Sequence, residues 1–261
     1  MDINRILQDP LYLKNKINTE ISQNDQMYTG KKPRYFSVGA DAIVKICYLL
    51  KLTNQGNPDS ILDFACGYGR VARFLSAVFP DSLLITSDVM QNAIDFCAQH
   101  FHSVPYLSDH DFNKIHFEQP FSLIWSGSLL THLNEDKAVD LLNFFDRSLK
   151  ETGLVVFTIH GRSVARKWAT QPDIVKLKDS DTQELARQFS QGNYVYSDYS
   201  HMDGYGLSLT PFHWIVNKLN DFPQFRIASF IERGWDNHQD IVALLKRPID
   251  EKWEDTNPQI W

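Results

Sequence analysis

The chain has 261 residues, a net charge of −6, 43% hydrophobic and 22% charged residues, a balance that suits a soluble globular protein long enough for one sizeable core. The acidic excess disfavours a nucleic-acid backbone as main partner. No apolar run reaches the roughly 18 residues that cross a bilayer, and the polar N-terminus lacks a signal-peptide core, so a cytoplasmic protein without a membrane partner is expected.

Residues 1–36 carry scattered apolar positions (Ile3, Ile6, Leu7, Leu11, Leu13) and are expected to form an N-terminal helical cap, with Lys31-Lys32-Pro33-Arg34 breaking the pattern. Ser37 is placed to N-cap a helix running to about Leu52, with Val38, Ala42, Ile43, Ile46, Leu49 and Leu50 on one stripe. The pattern then alternates: strands over 60–64, 83–87, 104–107, 121–125 and 154–159, and helices over 70–79, 92–99 and 134–150. Such alternation predicts an α/β, Rossmann-like fold, a mostly parallel sheet with helices on both faces. Residues 161–209 interrupt the rhythm with two short helices (162–168 and 182–189) and stretches dense in Tyr, Ser, Gly and His, too long for a plain connection. They are expected to form an insertion, a lid over the ligand edge of the sheet. After a helix over 211–219, strands at 225–231 and 239–245 are separated only by Glu232 to His238, too short for a crossover, so they must be antiparallel. Residues 37–247 thus form the main domain, and 248–261 a tail extended or partly ordered by Trp253 and Trp261.

The segment Ile61-Leu62-Asp63-Phe64-Ala65-Cys66-Gly67-Tyr68-Gly69-Arg70 runs from a strand into an acidic residue, a small-residue loop and a helix, and a second strand ends in Asp88. That is the layout of a nucleotide-type cofactor site: the glycines let backbone approach the ligand, the helix start offers free N–H groups, and Asp88 can accept from a ribose diol. Gly67-x-Gly69-x-x-Ala72 also satisfies a dinucleotide fingerprint, so an NAD(P)-dependent oxidoreductase competes. Against it, Asp63 suits an ammonium better than a pyrophosphate, and the closing hairpin does not match a repeated dinucleotide half. Cys47, Cys66 and Cys97 show neither metal spacing nor a disulfide framework, and no base near Cys66 in sequence marks it as a nucleophile.

Asp63 to Gly69 resembles the glycine motif of class I S-adenosylmethionine-dependent methyltransferases, with Ala65 replacing the first glycine. The stretch 121–133 resembles that family's fourth strand and loop, with Ser122 where an Asp is common, and 149–158 resembles its helix-turn-strand segment, with Glu151 and Thr152 in place of the usual Pro-Gly. The resemblance covers about residues 58–160 and the final hairpin. It implies S-adenosylmethionine as cofactor, with Asp63 and the backbone of Ala65, Cys66 and Gly67 at its methionine part, and Asp88 on the ribose. Val89 and Met90 would flank the adenine, Ser108 and Asp109 would meet its amino group, and Ser126 with Gly127 would floor the methyl group. Arg34 could close over the cofactor carboxylate, and Tyr35 or Tyr68 could face the sulfonium.

The cofactor supplies the electrophile, so the protein aligns the acceptor, with a general base for a hydroxyl. His132, after the fourth strand, and His160, ending the fifth, are the candidate catalytic bases; His201, His213 and His238 are weaker ones. The aromatic supply of the insertion (Tyr194, Tyr196, Tyr199, Tyr205, Phe212, Trp214) suits a small-molecule or saccharide acceptor, unless it forms the lid's own core. A non-catalytic protein on the same fold is a further alternative, kept open by Ser122, and the oligomeric state is not legible.

Overall fold

A computed structural model describes residues 3–171, 175–178, 181–200 and 202–248. His201 and the tail with Trp253 and Trp261 lie outside the described residues. After a short helix α1 (Ile3–Gln8) and a 3-10 turn (Pro10–Leu13), the chain enters the long helix α2 (Lys32–Leu52). The sheet strands are β1 (Ser60–Phe64), β2 (Leu83–Asp88), β3 (Val104–Leu107), β4 (Phe121–Ser126) and β5 (Leu149–Ile159). Between them run α3 (Ala72–Val78), α4 (Gln91–Phe101) and α5 (Glu135–Ser148). The insertion holds α6 (Arg162–Thr170), α7 (Thr182–Ser190), β6 (Val195–Tyr199) and β7 (Met202–Leu209). The chain returns through α8 (Phe212–Lys218) to β8 (Phe225–Trp235) and β9 (Gln239–Lys246).

Seven strands form one sheet in the order β3-β2-β1-β4-β5-β9-β8. β1 to β5 are mutually parallel, and β9 runs antiparallel to both β5 and β8. The order steps outward from β1 through β2 to β3, then restarts at β4 on the other side of β1. The switch point therefore falls between β1 and β4, where Asp63 sits opposite Trp125, and the crevice outside the strand tips there is where open α/β sheets bind ligands.

Each sheet face buries its own apolar layer. α2 and α3 cover Ile61, Trp125, Val156 and Ala243 with Ile43, Ile46, Phe74 and Leu75. α5 and α8 cover Phe64, Ile124, Val155 and Val242 with Leu141, Phe145 and Ile215. The stripe foreseen on α2 is buried, but the helix starts at Lys32, not after Ser37. Pro33 occupies the first turn, where its missing N–H is no loss, and Ser37 lies a turn inside, donating its hydroxyl to the Arg34 carbonyl at 2.9 Å. The N-cap of α5 is Asn134, whose side chain accepts from the Lys137 amide. α2 lies so close to the glycine bend that a Cβ on Gly39 would stand 2.3 Å from the Arg70 carbonyl oxygen.

The insertion has a small core of its own, in which Val164, Trp168, Leu185, Phe189, Val195 and Leu209 pack together. The Tyr/Ser/Gly-rich stretches form the two-stranded β6–β7 hairpin, paired Val195 to Leu209 and Ser197 to Leu207. It is tied to the main sheet by Ser208, which donates to the Leu130 carbonyl, and by the Thr210 amide on the His160 carbonyl.

Candidate active site

The bend after β1 is a strained piece of backbone. Ala65 has φ +62°, Gly67 +52° and Gly69 +74°. Glycine is required at Gly69 on two counts, since a Cβ there would also lie 2.4 Å from the Phe101 ring. Ala65 accepts a left-handed conformation that costs an L-residue about 1–2 kcal/mol. The bend is held by the tip of β2: the Cys66 amide donates to the Ser87 carbonyl at 3.1 Å, and the Gly67 amide to Asp88 Oδ2 at 2.8 Å. Asp88 Oδ1 accepts the Met90 amide at 3.1 Å. Asp88 thus braces both the glycine bend and the turn that leads into α4.

Asp63 is 2% exposed, and its Oδ2 has no hydrogen-bond partner. Burial, and next the negative Asp88, push its carboxyl up to about 8, while the Ala72 amide pulls the other way. A buried carboxylate oxygen left empty in this way is costly unless a cation is to fill it, and the ammonium of an amino-acid moiety is such a group. Val89 and Met90 are both 43% exposed, large apolar side chains open to water just past Asp88. Leu107, paired with Asp88 across β2–β3 and also exposed, adds to that apolar surface. Ser126, at the end of β4, is fully buried with an unpartnered Oγ. Ser108 reaches the same edge through its amide on the Asp88 carbonyl. Asp109 is committed to a local turn, accepting the Asp111 amide at 2.8 Å, with Lys114 4.0 Å away.

Three side chains expected near the cofactor are engaged elsewhere. Arg34 ion-pairs with Asp236 at the protein surface. Tyr35 is buried, its hydroxyl donating to Asp25 Oδ2 at 2.5 Å and accepting from Arg73. Tyr68 packs edge-on against Phe96. The Cys66 thiol donates to the Gly67 carbonyl beside Cys97, and burial pushes it well above its ordinary value, so it is no nucleophile. Ser122 lies at the start of β4, at the sheet edge opposite the ligand crevice, hydrogen-bonded to Asp59 and the Ser60 carbonyl. Its difference from the usual Asp is therefore remote from the site.

Arg70 and Arg73 were not foreseen. Arg70 directly follows the bend, half-buried 5.3 Å from the Trp235 ring, with no ion-pair partner among the described residues. Arg73 is 1% exposed. It donates to the carbonyls of Gly69 at 3.1 Å, Asn18 at 3.0 Å and Glu20 at 2.7 Å, which fastens the N-terminal segment onto the glycine bend.

The two candidate bases line one cavity of about 350 Å³ between the tip of β4 and the insertion, with Ser128, Lys167, Trp168 and His238. His132 Nδ1 lies 2.7 Å from the Gly206 carbonyl, and His160 Nδ1 3.2 Å from that of Ser208. A carbonyl only accepts, so each ring carries its proton on Nδ1 and keeps a basic lone pair on Nε2. Burial lowers the His132 imidazole below its ordinary value, and burial with the neighbouring His238 takes His160 down to about 3. Tyr205 of β7 stacks on His132, ring centroids 4.8 Å apart, and burial, and next the Asp88 charge, push its hydroxyl above its ordinary value. Ser128 is fixed by its amide on Thr158 and by Gln239. His213 Nε2 donates to the Gly192 carbonyl at 2.8 Å, away from the cavity. Among the described residues no group of three or more His, Cys, Asp or Glu could hold a metal, and no helix is long and apolar enough to cross a membrane.

This strand order, with a glycine bend braced between two acidic strand tips at the switch point, is the fold of class I methyltransferases. Residues 61–153 match the methyltransferase domain family, and the fold around them is that of S-adenosylmethionine-dependent methyltransferases. No curated protein sequence matches it. Among solved structures it is similar to the CcbJ methyltransferase of Streptomyces caelestis (16% identity over 80% of this chain and 90% of that one, TM-score 0.58). It is likewise similar to magnesium protoporphyrin IX methyltransferase of Synechocystis PCC 6803, solved with bound S-adenosylhomocysteine (11%, 93% and 97%, 0.53). A third is the N-methyltransferase NodS of Bradyrhizobium japonicum WM9 in complex with S-adenosylhomocysteine (13%, 91% and 97%, 0.51). The dinucleotide alternative gives way: the sheet closes with the β8–β9 hairpin, where a dinucleotide fold would repeat its first half.

Proposed function

We propose that this enzyme methylates a hydroxyl of a small molecule held in the cavity between the tip of β4 and the insertion. The observation that carries the reading is the pair of imidazoles on that cavity, each locked with a bare Nε2, because an alcohol or phenol hydroxyl must shed its proton as it attacks. His132 is the base: its lowered affinity for protons keeps it neutral and ready at pH 7. His160, near 3, is too weak a base for that task and serves to shape the wall.

The bound cofactor supplies a methyl group on sulfonium as electrophile. Asp63 receives its ammonium and Asp88 its ribose diol, while Ala65, Cys66 and Gly67 present backbone to the methionine part. Val89 and Met90 would flank the adenine, Ser108 and Asp109 would meet its amino group, and Ser126 would floor the methyl group. Arg70 takes the carboxylate role, since Arg34 is committed to Asp236. Tyr205, stacked on His132 and within electrostatic reach of Asp88, offers the aromatic face that Tyr35 and Tyr68 do not.

The test has two stages. Calorimetric titration with S-adenosylhomocysteine should give binding that Asp63→Asn weakens. Transfer of labelled methyl from S-adenosylmethionine to a panel of phenols, alcohols and amines should then mark a hydroxyl compound, and turnover restricted to amines would overturn the hydroxyl assignment.

A further inference from the structure

The acceptor cavity is electrostatically one-sided. Lys167, on α6, places its ammonium 3.4 Å from His238 Nδ1, a contact in which lysine donates and the imidazole accepts. That contact leaves His238 neutral with its N–H on Nε2, and leaves Lys167 two further donors. Among the described residues, Lys167 has no carboxylate within ion-pair distance and no acidic side chain lines the cavity. The nearby acids are already engaged: Asp236 with Arg34, Glu232 with Arg162, and Asp240 with the Arg233 amide. An ammonium with no counter-ion among the described residues, on a cavity wall that also holds Val164, Trp168 and Leu207, is an anion site with apolar flanks.

We infer that the acceptor is a hydroxylated aromatic or alicyclic carboxylic acid, whose carboxylate is held by Lys167 and His238 while its hydroxyl meets His132. The inference rests on the methyltransferase reading and narrows its substrate class. One ammonium and one neutral imidazole balance a single negative charge, which favours a carboxylate over a phosphate dianion. A cavity of about 350 Å³ lies at the small end of ligand sites, matching a single substituted ring. Lys167 and His238 here are specificity residues; they bind substrate and take no proton from it.

The experiment titrates the enzyme, saturated with S-adenosylhomocysteine, with 3,4-dihydroxybenzoate and with its neutral analogue 3,4-dihydroxybenzamide. The acid should bind at least tenfold more tightly than the amide. Lys167→Met should abolish that preference while leaving amide binding and S-adenosylhomocysteine affinity unchanged. Equal binding of acid and amide by the unaltered enzyme, a preference surviving in Lys167→Met, or no binding of the acid to an enzyme that does bind S-adenosylhomocysteine would each overturn the inference. Failure to bind S-adenosylhomocysteine at all would instead remove the methyltransferase reading beneath it.

Discussion

Asp88 accepts the Gly67 amide at 2.8 Å, so the carboxylate at the tip of β2 holds in place the bend that begins at the tip of β1. Asp63, on the neighbouring strand, has no such partner for its Oδ2. Two acids that look alike in the sequence therefore differ in state: Asp88 is satisfied by backbone, and Asp63 is held ready for a cation.

Replacing Asp63 separates stability from binding. Its carboxyl is raised to about 8 in the folded chain and has the ordinary value near 4 when unfolded. Between those values the folded state holds a proton the unfolded state has lost, so this contribution to stability is complete below about pH 4 and disappears as pH rises through about 8. The urea midpoint of Asp63→Asn should therefore gain on the unaltered protein between pH 5 and pH 8. S-adenosylhomocysteine affinity should fall about 10–100-fold, the loss of one charge-assisted hydrogen bond. Calorimetry in buffers of different ionisation enthalpy should show proton release on binding near pH 7.

Arg73→Met should cost about 3–5 kcal/mol, measured by urea unfolding. It strips a buried guanidinium from the Gly69, Asn18 and Glu20 carbonyls and leaves them unpaired. Arg73→Lys should rescue little, since one ammonium cannot span a fork that reaches three carbonyls and the Tyr35 hydroxyl.

The glycine bend gives a pair of opposite sign. Ala65→Gly relieves a left-handed alanine, worth about 1–2 kcal/mol, less about 0.4–1 kcal/mol of added unfolded-state freedom, so thermal stability should rise slightly. Gly69→Ala adds a Cβ at φ +74° against Phe101 and should cost about 2–4 kcal/mol. Differential scanning calorimetry on both variants checks the pair.

The two histidines should separate by pH. His132→Gln should lower kcat by about 10²–10⁴ with S-adenosylhomocysteine binding intact, and the acid limb of the unaltered enzyme should fall below pH 6.5, following the lowered His132. His160→Gln should change kcat by less than about tenfold. Its effect lies in stability: His160 is depressed to about 3 when folded and titrates near 6.5 when unfolded. The unfolded state therefore binds the extra proton, and stability present above pH 6.5 is lost as pH falls towards 3. Urea midpoints between pH 7 and pH 4 should fall less steeply in His160→Gln.

The glycine bend and its two acidic strand tips were legible because their requirements act on neighbouring residues. The bend 65–69 needs small or glycine residues, and Asp63 and Asp88 end strands whose apolar pattern is local. Arg73 was not legible, because its partners are backbone carbonyls some 53 to 55 positions away, which leave no residue-type signature. Arg34 and Tyr35 were misplaced for a related reason: α2 starts at Lys32, five residues before Ser37, and the extra turn rotates Tyr35 inward and Arg34 towards Asp236.

The sequence by itself determined the alternation of strands and helices, the antiparallel closing hairpin and the acid–glycine–acid bend at the strand tips, since each depends on short-range periodicity or on backbone conformations that few residues tolerate. Only the tertiary structure decided which histidine keeps a usable lone pair, which tyrosine stacks on His132, and that Lys167 meets His238 across 71 positions. Those outcomes depend on burial and on hydrogen bonds between distant segments, and no local pattern of residues encodes either.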